Sequence, residues 1–274
     1  MTEKRPLTCR RIVVKIGTSS LIDAATGQIK LQTIDRLAFT LAALNHQGCD
    51  MVLVTSGAIG VGLTQQRLTE RPSSIAEQQA LAAVGQCELM RLYSQRFNDY
   101  DAQIGQLLLT HDVFDYPVSR THVMDTIDAL LAHQIIPVIN ENDSVAVDEL
   151  DHRTTFGDND QLSALVATQI GADLLIVLSD IDGLYDQDPR RHADARRLTT
   201  VHHLSEDILA GAAGSGSRLG TGGMVTKLKA AGHMMQAGAQ MVLASGADPR
   251  IISHIIAGEN VGTWFVQKAE VEQS

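Results

Sequence analysis

The sequence predicts an α/β protein: an open, mostly parallel β-sheet sandwiched between helices. Three observations lead there. Short β-branched runs alternate with segments of helical apolar spacing along most of the 274 residues, the rhythm of repeated strand–helix units. One run, Leu174-Leu-Ile-Val-Leu178, is apolar at every position, as suits a parallel strand buried on both faces. Small, polar or charged turns follow the strands: Lys15-Ile-Gly-Thr-Ser-Ser20, Ser56-Gly-Ala-Ile-Gly-Val-Gly62, Asn140-Glu-Asn-Asp143 and Ser179-Asp180. An open α/β sheet gathers such turns along one rim, where ligands bind.

Arg11-Ile-Val-Val-Lys-Ile16 reads as the first strand. Leu31, Ile34, Leu37, Ala38, Leu41 and Leu44 then recur at helical spacing, and Gly48 can stop that helix. Met51-Val-Leu-Val-Thr55 is the next strand, and residues 75–100 form a long helix. Further strands are expected at 103–109, 135–139, 174–178 and 240–244, with helices at 118–133, 160–170 and 224–237. Two polar, Gly-containing stretches, 140–159 and 180–197, interrupt the rhythm; loops that long are usually functional or carry small hairpins. Without a repeat, low-complexity tract or linker, the expectation is one domain over 1–274, with 267–274 a fraying tail.

Composition narrows the function. Hydrophobic residues make up 44% and charged residues 20%, enough apolar material for a packed core. A formal net charge of -10 argues against a nucleic-acid partner, since a phosphate backbone calls for a basic face. No apolar run approaches a membrane span and the amino end lacks a signal-peptide core, so no membrane partner is expected. Cys9, Cys49 and Cys87 form no C-x-x-C pair, which points to a reduced, cytoplasmic setting. The ten histidines show no zinc spacing.

The stretch Leu219-Gly-Thr-Gly-Gly-Met-Val-Thr-Lys227 places Gly220, Gly222 and Gly223, the hydroxyls of Thr221 and Thr226, and a lysine beside a predicted helix. Glycines let backbone N–H groups approach phosphate oxygens, and the lysine adds a point charge. It is not a P-loop, because none of the six lysines follows a glycine. Taken alone, the segment reads better as a flexible Gly/Ser loop after Gly211-Ala-Ala-Gly-Ser-Gly216. Lys15 sits among Val and Ile at the end of the first strand, beside Gly17, Thr18, Ser19 and Ser20, where anion binding outweighs snorkelling to the surface. Ser56-Gly57 makes a strand-to-helix turn, and Gly60 and Gly62 after it also allow close packing. Between 140 and 160 stand Asn140, Glu141, Asn142, Asp143, Asp148, Glu149, Asp151, Asp158, Asn159 and Asp160. Capping the following helix needs only one of them. The others suit a cationic ammonium group and a magnesium ion, which takes few protein carboxylates and fills its shell from water and phosphates.

In this order, Val14-Lys-Ile-Gly-Thr18, Val54-Thr-Ser-Gly-Ala-Ile59, Leu81-Ala-Ala-Val-Gly-Gln86, Pro137-Val-Ile-Asn-Glu-Asn-Asp143, Phe156-Gly-Asp-Asn-Asp160, Gly183-Leu-Tyr185 with Asp188-Pro189, and the 219–227 segment resemble the amino acid kinase family. The set spans 11–265, and the two Asn/Asp motifs resemble the glutamate-phosphorylating branch. The chain departs from the family in having Ser179-Asp180 where Thr-Asp is common, and in stopping where many members continue into a PUA domain; the expectation is a catalytic-domain form without it. The resemblance implies the amino acid kinase fold and ATP-dependent phosphorylation of the L-glutamate side-chain carboxylate, the first step towards proline. By that likeness Lys15 and Lys227 contact the phosphates and Asp160 organises both lysines. Ser56, Asn140, Asp143, Asp158 and Asn159 bind glutamate. Ser179, Asp180, Thr221, Gly222, Gly223, Met224, Val225, Thr226 and Lys227 line the ATP site, with Mg2+ held mainly by ATP phosphates and no direct protein ligand assigned. Feedback by proline and a homo-oligomer, dimer or tetramer, also follow from the family; residues 75–100 and 107–123 are its expected contact, with Leu107, Leu108, Leu109, Phe114 and Tyr116 more than one helix face need bury. Two other readings stand beside this one: a sister kinase acting on another carboxylate such as acetylglutamate, and a non-catalytic nucleotide or amino acid sensor. A free α-ammonium accounts for the acidic and amide cluster, and two separate lysines exceed what mere binding needs.

Overall fold

The computed structural model describes residues 4–146, 159–213 and 223–267. In chain order the elements are β1 (Arg11–Ile16), α1 (Thr18–Leu21), α2 (Leu31–His46), β2 (Asp50–Val54), α3 (Ala58–Gln66), α4 (Ile75–Asn98), β3 (Ile104–Leu109), α5 (Pro117–Ala132), β4 (Ile136–Glu141), α6 (Asn159–Gln169) and β5 (Leu174–Ser179). There follow β6 (Thr200–Val201), α7 (Glu206–Ala213), α8 (Met224–Gln236), β7 (Gln240–Ser245), α9 (Ile251–Ile256) and β8 (Thr263–Phe265). The strands form one sheet in the order β3-β4-β2-β1-β5-β7-β8-β6. Every pairing is parallel except β7 with β8. The predicted α/β sandwich is therefore what forms.

Side-chain alternation builds the layers. Ile12, Val14 and Ile16 of β1 join Leu174, Ile176 and Leu178 of β5 in a core under α2, α4 and α9. Val13, Leu175 and Val177 point the other way, into a second core with α5, α6 and α8. Burial on both faces explains why Leu174–Ser179 carries no polar residue before Ser179.

The six expected strands appear with ends moved by a residue or two. The largest change is that β4 runs on through Asn140 and Glu141, so only Asn142 and Asp143 belong to the turn. The glycine stretch after β2 holds a helix as well as a turn: Gly57, at φ 95°, bends the chain and α3 begins at once. Small residues in α3 serve helix–helix packing, because a Cβ on Gly62 would overlap the Leu81 carbonyl oxygen of α4. Residues 180–197 do carry a small hairpin, with Tyr185 bridged antiparallel to Arg197. Of the five apolar residues assigned to a subunit contact, Leu107, Leu109 and Phe114 are core, while Leu108 and Tyr116 are exposed, as are Val118 and Val145.

At the far edge of the sheet, Arg5 closes the structure. Its guanidinium donates to the carbonyl oxygens of Val261 (2.6 Å), Thr199 (2.9 Å) and Gly262 (3.0 Å) and to Asn260 Oδ1 (3.0 Å). It also lies 5.8 Å from the Trp264 ring centroid. Arg197 donates to the same Gly262 carbonyl. Burial, then the Arg197 charge, lower the Arg5 pKa to about 10. Among the described residues no helix is long and apolar enough to cross a membrane, and all three cysteines are unpaired.

Candidate active site

The strand order reverses at β1: β2 lies on one side and β5 on the other. In open sheets such a switch point opens a crevice at the carboxyl ends of the strands. Lys15, one residue before the end of β1, shares a face with Val13 and so points towards α6 and α8. There its Nζ meets Asp160 Oδ1 at 2.6 Å. Lys227, in the first turn of α8, reaches Asp160 Oδ2 at 3.0 Å. The Thr226 hydroxyl donates to that same oxygen at 2.9 Å.

Asp160 is fully buried and both lysines are nearly so. Burial by itself would raise the Asp160 pKa, but the charges of Lys15 and Lys227 and their hydrogen bonds hold it down at about 2. Two ammonium groups facing one carboxylate leave a net positive charge among these three side chains. An anionic ligand that reached the two ammonium groups would meet positive charge from both.

A chain of buried amides flanks the trio. Asn159, next to Asp160, shares its Nδ2 protons among the Thr55 carbonyl (2.7 Å), Ser56 Oγ (2.9 Å) and Asn140 Oδ1 (2.9 Å). Its own Oδ1 has no hydrogen-bond partner among the described residues, so it caps nothing there. Asn140 accepts from the Glu141 N–H at 2.9 Å and donates from Nδ2 to Gln86 Oε1 at 2.8 Å. Thr55 is fixed in turn by a 2.8 Å bond between its hydroxyl and that of fully buried Tyr93. Asp143, half-buried in the turn after β4, is pushed up to about 7 by burial and then by the Glu141 charge, against the pull of Arg71. A cationic ligand group beside it would restore its charge.

Beyond Lys227 lies a cavity of about 250 Å³, lined by Ser179, Asp180, Gly223, Met224 and Lys227. The 180–197 hairpin adds Leu184 and Tyr185, and α7 adds Ile208. The Ser179 hydroxyl donates to Asp180 Oδ1 at 3.0 Å. Val225 is exposed and outside this lining, and Thr226 is turned to Asp160. Asp158, Thr221 and Gly222 lie outside the described residues. Carboxylates of Asp180, Asp186 and Asp188 on the cavity wall are the hard oxygen donors that magnesium accepts. Among the described residues, no group of three or more His, Cys, Asp or Glu side chains could hold a metal ion by itself.

The structure thus draws Lys15, Ser56, Asn140, Asn159, Asp160, Ser179, Asp180 and Lys227 to one rim. Sequence reasoning missed Gln86, Tyr93 and the apolar cavity wall. Gln86 stands within a matched motif, yet only the contact of α3 with α4 reveals which side chain it serves.

The amino acid kinase family model matches residues 10–245. The chain belongs to the amino acid kinase family. Within that family it is 57% identical over 261 residues to the glutamate 5-kinase of Lactiplantibacillus plantarum, covering 95% of this chain and 98% of the relative. The glutamate 5-kinase of Lactococcus lactis subsp. lactis is 52% identical over 269 residues, covering 98% and 99%. Among solved structures, a carbamate kinase from Giardia lamblia bound to AMP-PNP superposes with a TM-score of 0.65 at 16% identity, covering 95% of this chain and 99% of that one. At that identity the likeness carries the amino acid kinase fold alone.

Proposed function

We propose that this chain transfers the γ-phosphoryl group of ATP to the side-chain carboxylate of L-glutamate, giving glutamyl 5-phosphate and ADP, the step that opens proline synthesis. The observation that carries this reading is the Lys15–Asp160–Lys227 trio set between an amide-lined rim and a cavity bordered by Ser179, Asp180 and Lys227. Relatives that match nearly end to end and are glutamate 5-kinases support it. A glutamate carboxylate, with a reference pKa of about 4.3, is ionised at neutral pH and needs no general base. One of its oxygens attacks the γ-phosphorus, the bond to the ADP oxygen breaks, and no proton moves.

The obstacle is repulsion between two anions, so positioning and positive charge are the catalytic task. In this reading Lys15 and Lys227 hold the phosphate oxygens, one from each side, and Asp160 keeps their ammonium groups aimed. Asp143, Asn140, Asn159 and Ser56, with Asp158, receive the amino acid. Ser179, Asp180, Gly223, Met224 and Lys227, with Thr221 and Gly222, border the nucleotide, and Thr226 steadies Asp160. Mg2+ arrives on the ATP phosphates and supplies further charge neutralisation. By its likeness to glutamate 5-kinases the chain acts as a catalytic domain in the cytoplasm, open to feedback by proline, and as a dimer at least. Exposed Leu108, Tyr116, Val118 and Val145 support the dimer; an active species with the 29.6 kDa monomer mass in light scattering would remove it.

The activity test is purified protein with ATP, magnesium and either glutamate or acetylglutamate, the acyl phosphate being trapped with hydroxylamine. Hydroxamate from glutamate alone is expected. Hydroxamate from acetylglutamate would move the chain to the sister activity, and none from either would leave a sensor.

A further inference from the structure

Gln86 sits in the middle of α4, a helix that contributes none of the side chains placed at the substrates above. It reaches Asn140 because α3 and α4 meet backbone to backbone. A Cβ on Gly62 would overlap the Leu81 carbonyl, and one on Gly85 the Ala58 carbonyl. Glycine at both positions permits that approach, and it brings the buried Gln86 amide to 2.8 Å from Asn140.

The resulting chain has a direction. Asn140 Oδ1 is committed as an acceptor by the Glu141 N–H and by Asn159 Nδ2. Its Nδ2 must then be the donor towards Gln86, and Gln86 must present Oε1. One group is left over at each end: Asn159 Oδ1, an acceptor, and Gln86 Nε2, a donor, both buried without a hydrogen-bond partner among the described residues. Buried amides are nearly always satisfied. Two open ends on one chain of three amides suit a network that holds an orientation for a ligand rather than one that serves only packing.

We propose that Gln86 is a positioning residue for the amino acid substrate. As the last acceptor of the Gln86–Asn140–Asn159 chain, it completes the set of bonds that holds Asn140, and through it Asn159, in this orientation. Asn159 therefore keeps its oxygen out of the network, as an acceptor for a substrate N–H group. The inference rests on the reading of Asn140 and Asn159 as residues of the glutamate site. Without Gln86, the buried Asn140 Nδ2 loses its acceptor while the Glu141 N–H and Asn159 still oppose a flip of its amide, so the chain loosens at the expense of the substrate.

Steady-state kinetics with ATP and L-glutamate test this. Gln86→Met keeps length and removes both polar atoms; the loss of one buried hydrogen bond is expected to raise the glutamate KM about fivefold, with the ATP KM little changed. Gln86→Glu, which retains an oxygen towards Asn140, recovers most of that loss. Gln86→Met added to Asn140→Ala costs nothing beyond Asn140→Ala, because the group it acts through has gone. An unchanged glutamate KM in Gln86→Met overturns the proposal, as does an equal rise in both KM values, or effects of the two mutations that multiply. If Gln86→Met does not fold, Gln86→Glu decides: a glutamate KM raised tenfold or more, about 1.4 kcal/mol, overturns it. Should Asn140→Ala itself leave the glutamate KM unchanged, the site reading fails first and Gln86 falls with it.

Discussion

Lys15 and Lys227 share a single carboxylate, whereas the guanidinium of Arg5 is divided among three carbonyls, one side-chain amide and the face of Trp264. Both clusters are buried cations. In the first, two ammonium groups converge on one carboxylate, and Lys227 also borders a cavity. In the second, both terminal nitrogens of the fork donate to the chain's own oxygens, and the charge is spent on holding β8 and the 199–201 segment to the sheet. Burial alone does not mark a functional cation. What marks it is where the charge is aimed, towards a cavity beside Lys227 or towards the chain's own carbonyls around Arg5.

The largest effect should come from unbalancing the first cluster. Lys15→Ala or Lys227→Ala is expected to lower kcat about a hundredfold or more, the usual cost of removing a charge aimed at a transition state. Turnover like that of the parent in either variant, at saturating ATP and glutamate, would take that lysine out of the mechanism and erase the contrast with Arg5. Next is Asp143→Ala, expected to raise the glutamate KM by about tenfold or more through loss of a charged contact. A shift of the ATP KM instead would move Asp143 to the nucleotide side.

A smaller, graded effect follows from the Asp143 pKa of about 7, raised by burial and by Glu141. The carboxyl is neutral below that pH and charged above it, while glutamate keeps its charges through this range. The glutamate KM should therefore fall as pH rises from about 6 to 8, by up to roughly tenfold per unit on the acid side. Asp143→Asn should flatten the profile; a slope that persists in that variant assigns it elsewhere. Smallest for catalysis is Arg5→Ala, expected to leave kcat near the parent value yet cost about 2–3 kcal/mol of stability through unsatisfied carbonyls. A melting temperature unchanged in that variant would show that the second cluster holds nothing.

Legibility in the sequence divides along a similar line. The central strands were readable because each needs apolar residues over its full length, and the rim turns because they follow strands. Thr200–Val201 and Thr263–Phe265 are too short for periodicity, and the antiparallel sense of β8 comes from its docking on β7. α3 was hidden by Gly60 and Gly62, poor helix formers; Gly62 is required by the α4 contact and Gly60 by the close approach of Ile22. At the site, Lys15, Asp160 and Lys227 could be nominated by type and position, but the sharing of Asp160 could not. Gln86 lies 54 residues from its partner Asn140, and no local pattern connects them.

The Arg5 clasp also bears on how the chain folds. Its bond to the Gly262 carbonyl joins residues 257 positions apart, among the longest loops this sequence can close. Closure entropy grows only slowly with loop length, but such a contact cannot form until the intervening sheet stands and β8 has paired with β7. The Arg5 edge is therefore a late event in assembly, and the natural place for native fluctuations to begin. Opening there frees β8, and with it an unpaired flank of β7, while the Lys15–Asp160–Lys227 centre, three strands away on the other side of β5, stays closed.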